Sequence, residues 1–204
     1  VRMIANGASA EYKAIWVVRG GSITIDGIDF IGARVADRNG AGIRFERGHL
    51  VVRRCLFFDN QNGILAAPGA DTVLEVEQSE FGYNGAGDGL THHLYAGAIQ
   101  QLKVSGSYFH HANVGHLIKS RAASSLVAYN RLTDEIGGRA SYELEFPNGG
   151  EVVVLCEVLL EAALGVGDGL FAQRSRNVGR QHMQQVIFAF GARGSRSARS
   201  NARR

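Results

Sequence analysis

A phrase of apolar residues recurs along the first 150 residues of this 204-residue chain. Each copy has two aliphatic residues at alternate positions, followed five positions later by a phenylalanine. The four clear copies are Ile23, Ile25 and Phe30; Leu50, Val52 and Phe57; Leu74, Val76 and Phe81; and Leu102, Val104 and Phe109. A fifth, weaker copy runs from Leu126 to Leu132. The spacing within the four clear phrases is constant, whereas the number of residues between phrases varies. This pattern predicts a coil of short parallel strands.

The alternation within each phrase has the two-residue period of a β-strand, and the phrase is too short for a helix. A second apolar segment follows each phrase after a polar turn, so the sequence predicts two strands per rung. These second segments begin near Gly42, Gly63, His92, Gly115 and Ser141. The turns are rich in Asn and Gly, which tolerate left-handed backbone angles, and stacked Asn side chains can hydrogen-bond to one another. We therefore predict an all-β parallel solenoid of about five rungs.

The phrase stops near Gly150, which divides the chain into a β-helical part, residues 1–150, and an irregular Arg-rich segment, residues 151–204. The formal net charge is +3, but residues 169–204 contain eight arginines and no acidic residue, which leaves the rest of the chain at −5. The segment has three interpretations: a disordered arm that binds anions, a cap over the last rung, or frame-shifted sequence. Its composition favours the third. Because it lacks interleaved aromatic residues and lysine, we expect no nucleic-acid partner.

The chain shows no signal peptide and begins with Val1 rather than Met. We interpret it as a fragment or a processed form, so the missing leader does not define a compartment. No apolar run is long enough to cross a bilayer, and we expect no membrane partner. The oligomeric state stays open.

Five segments resemble the right-handed parallel β-helix repeat proteins of the pectate-lyase-like superfamily. They are Asp37–Ile43, Asn62–Leu65, Asp88–Tyr95, Gly115–Ala122 and Ser141–Gly150, and the resemblance extends from about Ala14 to Gly150. It implies a right-handed β-helix and a carbohydrate-active scaffold, because most characterised relatives are polysaccharide lyases, hydrolases or epimerases that act on acidic glycans. It also implies a bacterial protein, an extracellular or periplasmic location, and an acidic polysaccharide as partner.

The second strands carry the candidate chemistry. If Leu94, Ile118 and Leu144 point into the solenoid, alternation places their neighbours on the outer face. Stacking the rungs in register then aligns Tyr95, Lys119 and a glutamate, about 5 Å apart. The residues on the predicted outer face are His93, Tyr95, Leu117, Lys119, Arg121, Glu143 and Glu145, with Arg44 and Glu46 two rungs lower.

Such a face suits β-elimination at a uronic acid, which needs a neutralised carboxylate, a base and an acid. The predicted catalytic residues are Lys119, Arg121, Tyr95 and His116, and the predicted substrate-binding residues are His93, Arg44, Glu143 and Glu145. The resemblance implies an Arg or Lys base. We prefer Lys119 to Arg121, because a guanidinium is hard to deprotonate.

Several alternatives remain. The same face would suit a noncatalytic glycan-binding or surface-adhesion protein, or its charges would form a cross-rung salt-bridge ladder. Glu143 and Glu145 lie about 6.6 Å apart on one strand, which permits an inverting glycoside hydrolase. No carboxylate cluster of calcium-loop spacing is present, so no cofactor is expected; a calcium ion held by Asp88, Glu143 and Glu145 is the alternative. The crowded histidines favour hydrogen bonds to the backbone over a zinc site.

Overall fold

The apolar phrases form short strands that stack in parallel into a solenoid of about six turns in the computed structural model. The structure describes residues 1–155 and the strands at 158–160 and 183–189. The predicted all-β parallel solenoid is confirmed, and its number of turns is close to the expected five. Each turn contributes one strand to each of three parallel sheets, which we name A, B and C.

Sheet A contains the phenylalanines. Its strands are β1 (Arg2–Ile4), β4 (Asp29–Ile31), β7 (Leu56–Phe58), β10 (Glu80–Gly82), β13 (Tyr108–His110), β16 (Arg131–Thr133) and β19 (Val158–Leu160).

Sheet B contains the predicted second strands. They are β2 (Ala14–Val18), β5 (Ala41–Phe45), β8 (Asn62–Ala66), β11 (Leu94–Ala96), β14 (His116–Ser120) and β17 (Tyr142–Glu145).

Sheet C contains the alternating aliphatic residues. Its strands are β3 (Ser22–Asp26), β6 (His49–Arg53), β9 (Gly69–Glu77), β12 (Ile99–Ser105), β15 (Ser124–Ala128), β18 (Gly150–Leu155) and β20 (Met183–Ala189).

The prediction of two strands per rung is wrong, because each phrase bends into two strands. The bend lies at a residue with positive φ between the sheet C and sheet A strands: Gly27, Arg54, Gln78, Gly106 and Tyr129. A second such residue follows the sheet A strand five positions later in four turns: Gly32, Asp59, Tyr83 and His111. Left-handed residues turn the chain sharply, so two of them five residues apart leave room for only a three-residue strand. Most of these positions are not glycine, which is why the sequence pattern did not reveal the corner.

The phenylalanines stack face to face in the core. Phe30, Phe57, Phe81 and Phe109 are fully buried, with adjacent ring centroids 4.5 to 5.1 Å apart and ring planes within 10° of parallel. Leu132 continues this column in register with Phe109. Each ring therefore covers the ring below it, which is the packing that the 24- to 28-residue period predicts.

The fifth phrase is shifted by one residue. Val127 pairs in register with Val104 and is buried, whereas Leu126 pairs with Lys103 and is only half-buried. The core positions in this turn are Ser125 and Val127, so the fifth copy begins at Ser125 and not at Leu126. The hydroxyl of Ser125 is satisfied inside by the hydroxyl of Ser120, 2.9 Å away.

The corners are stabilised by stacked polar side chains, as predicted for asparagine. Asn60 donates through Nδ2 to the side-chain oxygen of Asn84, which also accepts the Asn60 backbone amide, both at 3.0 Å. At the other corner Ser79 and Ser107 accept backbone amides from the turn below, at 3.1 and 3.0 Å. These bonds satisfy buried groups that the sheets leave unpaired.

The C-terminal segment was divided from the rest at Gly150. Strands β18 and β19 extend sheets C and A in register with β15 and β16, and β20 pairs with β18. The three interpretations of residues 151–204 concern mostly positions outside the described residues, and they stay predictions.

Within the part of the chain that the structure describes, no helix has the length and apolar character needed to cross a membrane.

Candidate functional site

One row of side chains runs along the outside of sheet B. Parallel pairing places Val17, Arg44, Leu65, Tyr95, Lys119 and Glu145 in register, one per turn, and we call this set the outer row. Ile64, Leu94 and Ile118, one residue earlier in three of these turns, are fully buried. The register assumed from the sequence for Tyr95, Lys119 and a glutamate is therefore the register of the structure.

A compact charged cluster lies at the C-terminal end of this row. Oε2 of Glu145 lies 2.7 Å from Nζ of Lys119 and 2.8 Å from Nε2 of His116. The side chains of His116 and Lys119 are only 7% and 17% exposed. Nδ1 of His116, which makes no such contact, is buried without a hydrogen-bond partner among the described residues. A buried polar atom without a partner is uncommon, and a catalytic role or a bound water or ion is among its explanations.

The second part of the site is built around Tyr95. Nε of Arg121 donates a hydrogen bond to the hydroxyl of Tyr95 at 3.1 Å, and the same guanidinium donates to the side-chain oxygen of Asn148. Sequence reasoning placed Arg121 near Glu145, but its hydrogen-bond partners are Tyr95 and Asn148. The four charged residues Lys119, Arg121, Glu143 and Glu145 therefore do not form one continuous salt-bridge ladder. Glu145 pairs with Lys119 and His116, whereas Arg121 binds Tyr95 and Asn148.

Two histidines in adjacent turns stay neutral. Burial, together with the neighbouring His116 and Lys119, lowers the pKa of His92 to about 3. Burial also lowers the pKa of His116; Glu145 opposes this effect and Lys119 adds to it. Nδ1 of His92 accepts the backbone amide of His116 at 3.0 Å, so its proton is on Nε2. His116 is therefore a neutral imidazole beside a carboxylate, which is the arrangement of a general base.

This charge balance predicts opposite pKa changes in two variants. We expect the pKa of His116 to rise in Lys119→Met, because the nearby positive charge is removed and Glu145 remains to stabilise the imidazolium. We expect it to fall in Glu145→Gln, because only the cation remains. The measurement is an NMR titration of the histidine side chains in both variants, with the exposed His49 as the internal reference. Shifts in the same direction, or no shift, would show that the three side chains do not interact.

The outward orientation predicted for His93 is wrong. His93 is fully buried. Its Nδ1 lies 2.9 Å from the side-chain nitrogen Nδ2 of Asn84, and its Nε2 lies 2.8 Å from the backbone carbonyl oxygen of His110. The chain bends at His93, just before β11, so that His93 and Leu94 are both buried. Leu117, at the equivalent position of the next turn and also predicted to point outward, is fully buried as well. At the equivalent position of the turn below His93, a Cβ on Gly63 would lie 2.7 Å from the ring of Phe81. His93 therefore belongs to the interior polar network and not to the outer face.

Glu143 and Asp88 lie outside the cluster. Glu143 is in register with Leu117, a core residue, and its charge helps to raise the pKa of Asp134, which burial raises most. Asp88 accepts hydrogen bonds from the amide of Leu90 and the hydroxyl of Thr91 in its own turn. Burial works to raise its pKa, but these bonds outweigh it, and the pKa is lowered. Among the described residues no three His, Cys, Asp or Glu side chains are grouped so that they could hold a metal ion, so the calcium set of Asp88, Glu143 and Glu145 is not formed.

Three residues of the site were not named as candidates from the sequence. His92 and Tyr142 flank His116, with ring centroids 4.7 and 5.2 Å from it, and Asn148 binds Arg121. His92 and His116 each precede a core residue of their strand by two positions, so an alignment of the turns would have placed them together. Asn148 follows the last strand of sheet B, and no pattern in the sequence indicates its contact.

Comparisons with family models, with curated proteins and with solved structures found no match to this chain. The resemblance to the pectate-lyase-like superfamily is therefore supported by the solenoid fold alone.

Proposed function

We propose that the outer face of sheet B binds an acidic polysaccharide and cleaves it by β-elimination at a uronic acid. The observation that carries the proposal is the pairing of a neutral, buried His116 with Glu145 beside two cations and a tyrosine. Elimination at a uronate needs these three functions: a base for the proton α to the carboxylate, positive charge to stabilise the resulting anion, and an acid for the leaving oxygen.

His116 serves as the base in this proposal, in place of Lys119. Burial keeps its imidazole neutral and able to accept a proton, and Glu145 stabilises the imidazolium that forms. Lys119 is already engaged by Glu145, so it supplies positive charge near the substrate carboxylate.

Tyr95 serves as the acid. Its hydroxyl accepts a hydrogen bond from Nε of Arg121, and this donor would stabilise the phenolate left after the proton passes to the departing sugar oxygen. Arg121 also offers a planar guanidinium that suits a carboxylate. In each reaction His116 gains one proton and Tyr95 loses one, so the number of protons on the two residues is unchanged. Exchange with solvent then returns His116 to the neutral imidazole and Tyr95 to the phenol.

A noncatalytic glycan-binding protein is the second candidate. One observation favours it: Lys119 and Arg121 already have partners in Glu145, Tyr95 and Asn148, as expected of a rigid binding face. An inverting hydrolase built on Glu143 and Glu145 has less support, because Glu143 lies in the register of a core residue.

The test is a screen for unsaturated sugar products, which absorb in the ultraviolet, over alginate, pectate, glucuronan and glycosaminoglycans. We expect a product from at least one of these polymers. For that polymer His116→Gln should lower the rate by at least about 100-fold, which is the lower range for loss of a general base, while the Kd changes only a few-fold.

The matched control is His49→Gln, the same substitution on sheet C, where the histidine is 43% exposed and pairs with Glu75. It should keep the full rate. Polymers that bind without yielding a product would establish the binding protein instead, and a His116→Gln variant with unchanged turnover would exclude His116 as the base.

A further inference from the structure

The outer face of sheet B has a third cation besides Lys119 and Arg121: Arg44, which follows Val17 in the outer row. Nε of Arg44 is buried without a hydrogen bond, and no carboxylate among the described residues lies within ion-pair distance of its guanidinium. The nearest acid along its strand, Glu46, is held instead by Lys13 at 2.6 Å and by Arg19 at 3.4 Å. Unlike Lys119, Arg44 therefore has no ion pair at contact distance among the described residues, although, after the hydrogen bond from Lys13, its charge contributes to the lowered pKa of Glu46.

The surface between Arg44 and the charged cluster has small or apolar side chains. In the outer row the two intervening turns present Leu65 and Tyr95. In the adjacent row, where backbone amides bond to the turn below, the same turns present Ala67 and Gly97, followed by Arg121. A sugar chain that lay along this strip would meet no charged side chain before it reached Arg121 and Lys119.

The spacing of these groups fits a repeating polymer. Successive turns lie about 4.8 Å apart, so Arg44 and Lys119 are separated by roughly 14 Å, or three turns. One turn is close to the length of one pyranose unit in an extended glycan. The row therefore offers positive charge at Arg44 and, three turns further on, at Lys119, and apolar contact at Leu65 and Tyr95 in the two turns between them.

We propose that the site takes an extended acidic glycan of about four or more sugar units, with one carboxylate at Arg44 and another at Lys119 and Arg121. The inference rests on the proposed function of the same face, and it adds a minimum length and a second anchoring point. An anionic oxygen at Arg44 would supply the acceptor that its guanidinium lacks.

The experiment measures the Kd of the full chain for oligouronates of two lengths. The probes are the disaccharides and hexasaccharides of galacturonate and of mannuronate, titrated by calorimetry. We expect the hexasaccharide of the preferred uronate to bind at least about tenfold more tightly than its disaccharide. Arg44→Gln should remove most of this advantage and leave disaccharide binding unchanged.

The control is Arg53→Gln, which removes the same charge from sheet C, where Arg53 pairs with Asp26 at 3.0 Å. Circular dichroism verifies that each variant is folded. Equal Kd values for the two lengths, or a hexasaccharide Kd that Arg44→Gln leaves unchanged, would overturn the Arg44 subsite while the proposed function stands. If neither these oligomers nor any polymer of the product screen is bound or cleaved, the proposed function fails as well.

Discussion

Phe81→Ala is expected to lower the free energy of unfolding by about 3 to 5 kcal/mol, the range for a fully buried aromatic residue in a core that cannot collapse around the cavity. The ring of Phe81 lies between those of Phe57 and Phe109, with centroid distances of 4.6 and 4.5 Å. Removing the Phe81 ring leaves one face of Phe57 and one face of Phe109 against the same empty cavity. The backbones above and below are fixed by sheet A, so the turns cannot move together to fill it.

The measurement is urea unfolding of the full chain, with two comparison variants. Phe81→Leu retains much of the volume but loses the stacking, and we expect it to cost about 1 to 2 kcal/mol. Ile136→Ala removes an apolar side chain that is 94% exposed, and it should change stability by less than about 0.5 kcal/mol. A Phe81→Ala variant as stable as Ile136→Ala would mean that the phenylalanine column does not support the solenoid.

Acid is expected to destabilise the solenoid well above the pH at which carboxylates titrate. Burial lowers the pKa of both His92 and His93 to about 3 in the folded chain, against about 6.5 in the unfolded chain. Between these values the unfolded state binds more protons, so the stability contribution is complete above pH 6.5 and is lost as the pH falls. From pH 7 to pH 5 the loss is roughly 2 kcal/mol for each histidine.

The range from pH 7 to pH 5 isolates the histidines. Glu46 and Glu135, whose pKa values are lowered chiefly by hydrogen bonds from Lys13 and Tyr108, lose their contributions only at lower pH. Urea unfolding should show a smaller pH dependence in His92→Gln and His93→Gln, although both start less stable. The exposed His49→Gln should keep the original dependence. Wild-type stability that is flat over this range, or equal slopes in all four proteins, would contradict the prediction.

The core and the outer row could be predicted from the sequence because both follow from periodicity. Phe57, Phe81 and Phe109 recur at one position of the turn, and Tyr95 and Lys119 each follow a core residue in strands that share a register. Stacked parallel strands carry such a repeat directly into columns of side chains.

Where the repeat was irregular, the predictions failed. The fifth copy of the phrase, predicted to begin at Leu126, begins at Ser125, because the register with Val104 places Val127 inside. His93 was assigned to the surface by strict alternation, but the bend at the start of the strand turns it inward, where Asn84 and His110 satisfy its ring. In both cases hydrogen bonding and packing with the adjacent turns outweighed the local pattern.

The sequence by itself determined the stacked parallel solenoid and the register of its four regular phrases, because a repeated apolar phrase can be buried only by stacking copies of itself. It also determined that Tyr95, Lys119 and Glu145 share one face. Only the tertiary structure decided which of these groups meet: Lys119 and His116 with Glu145, and Arg121 with Tyr95 and Asn148. It also leaves Arg44 without an ion pair among the described residues. These contacts depend on the bends at the corners and on the path of the loop after β17, and neither is encoded in the period of the repeat. The neutral state of His116 depends on burial among several turns, which is a property of the assembled solenoid and of no single segment.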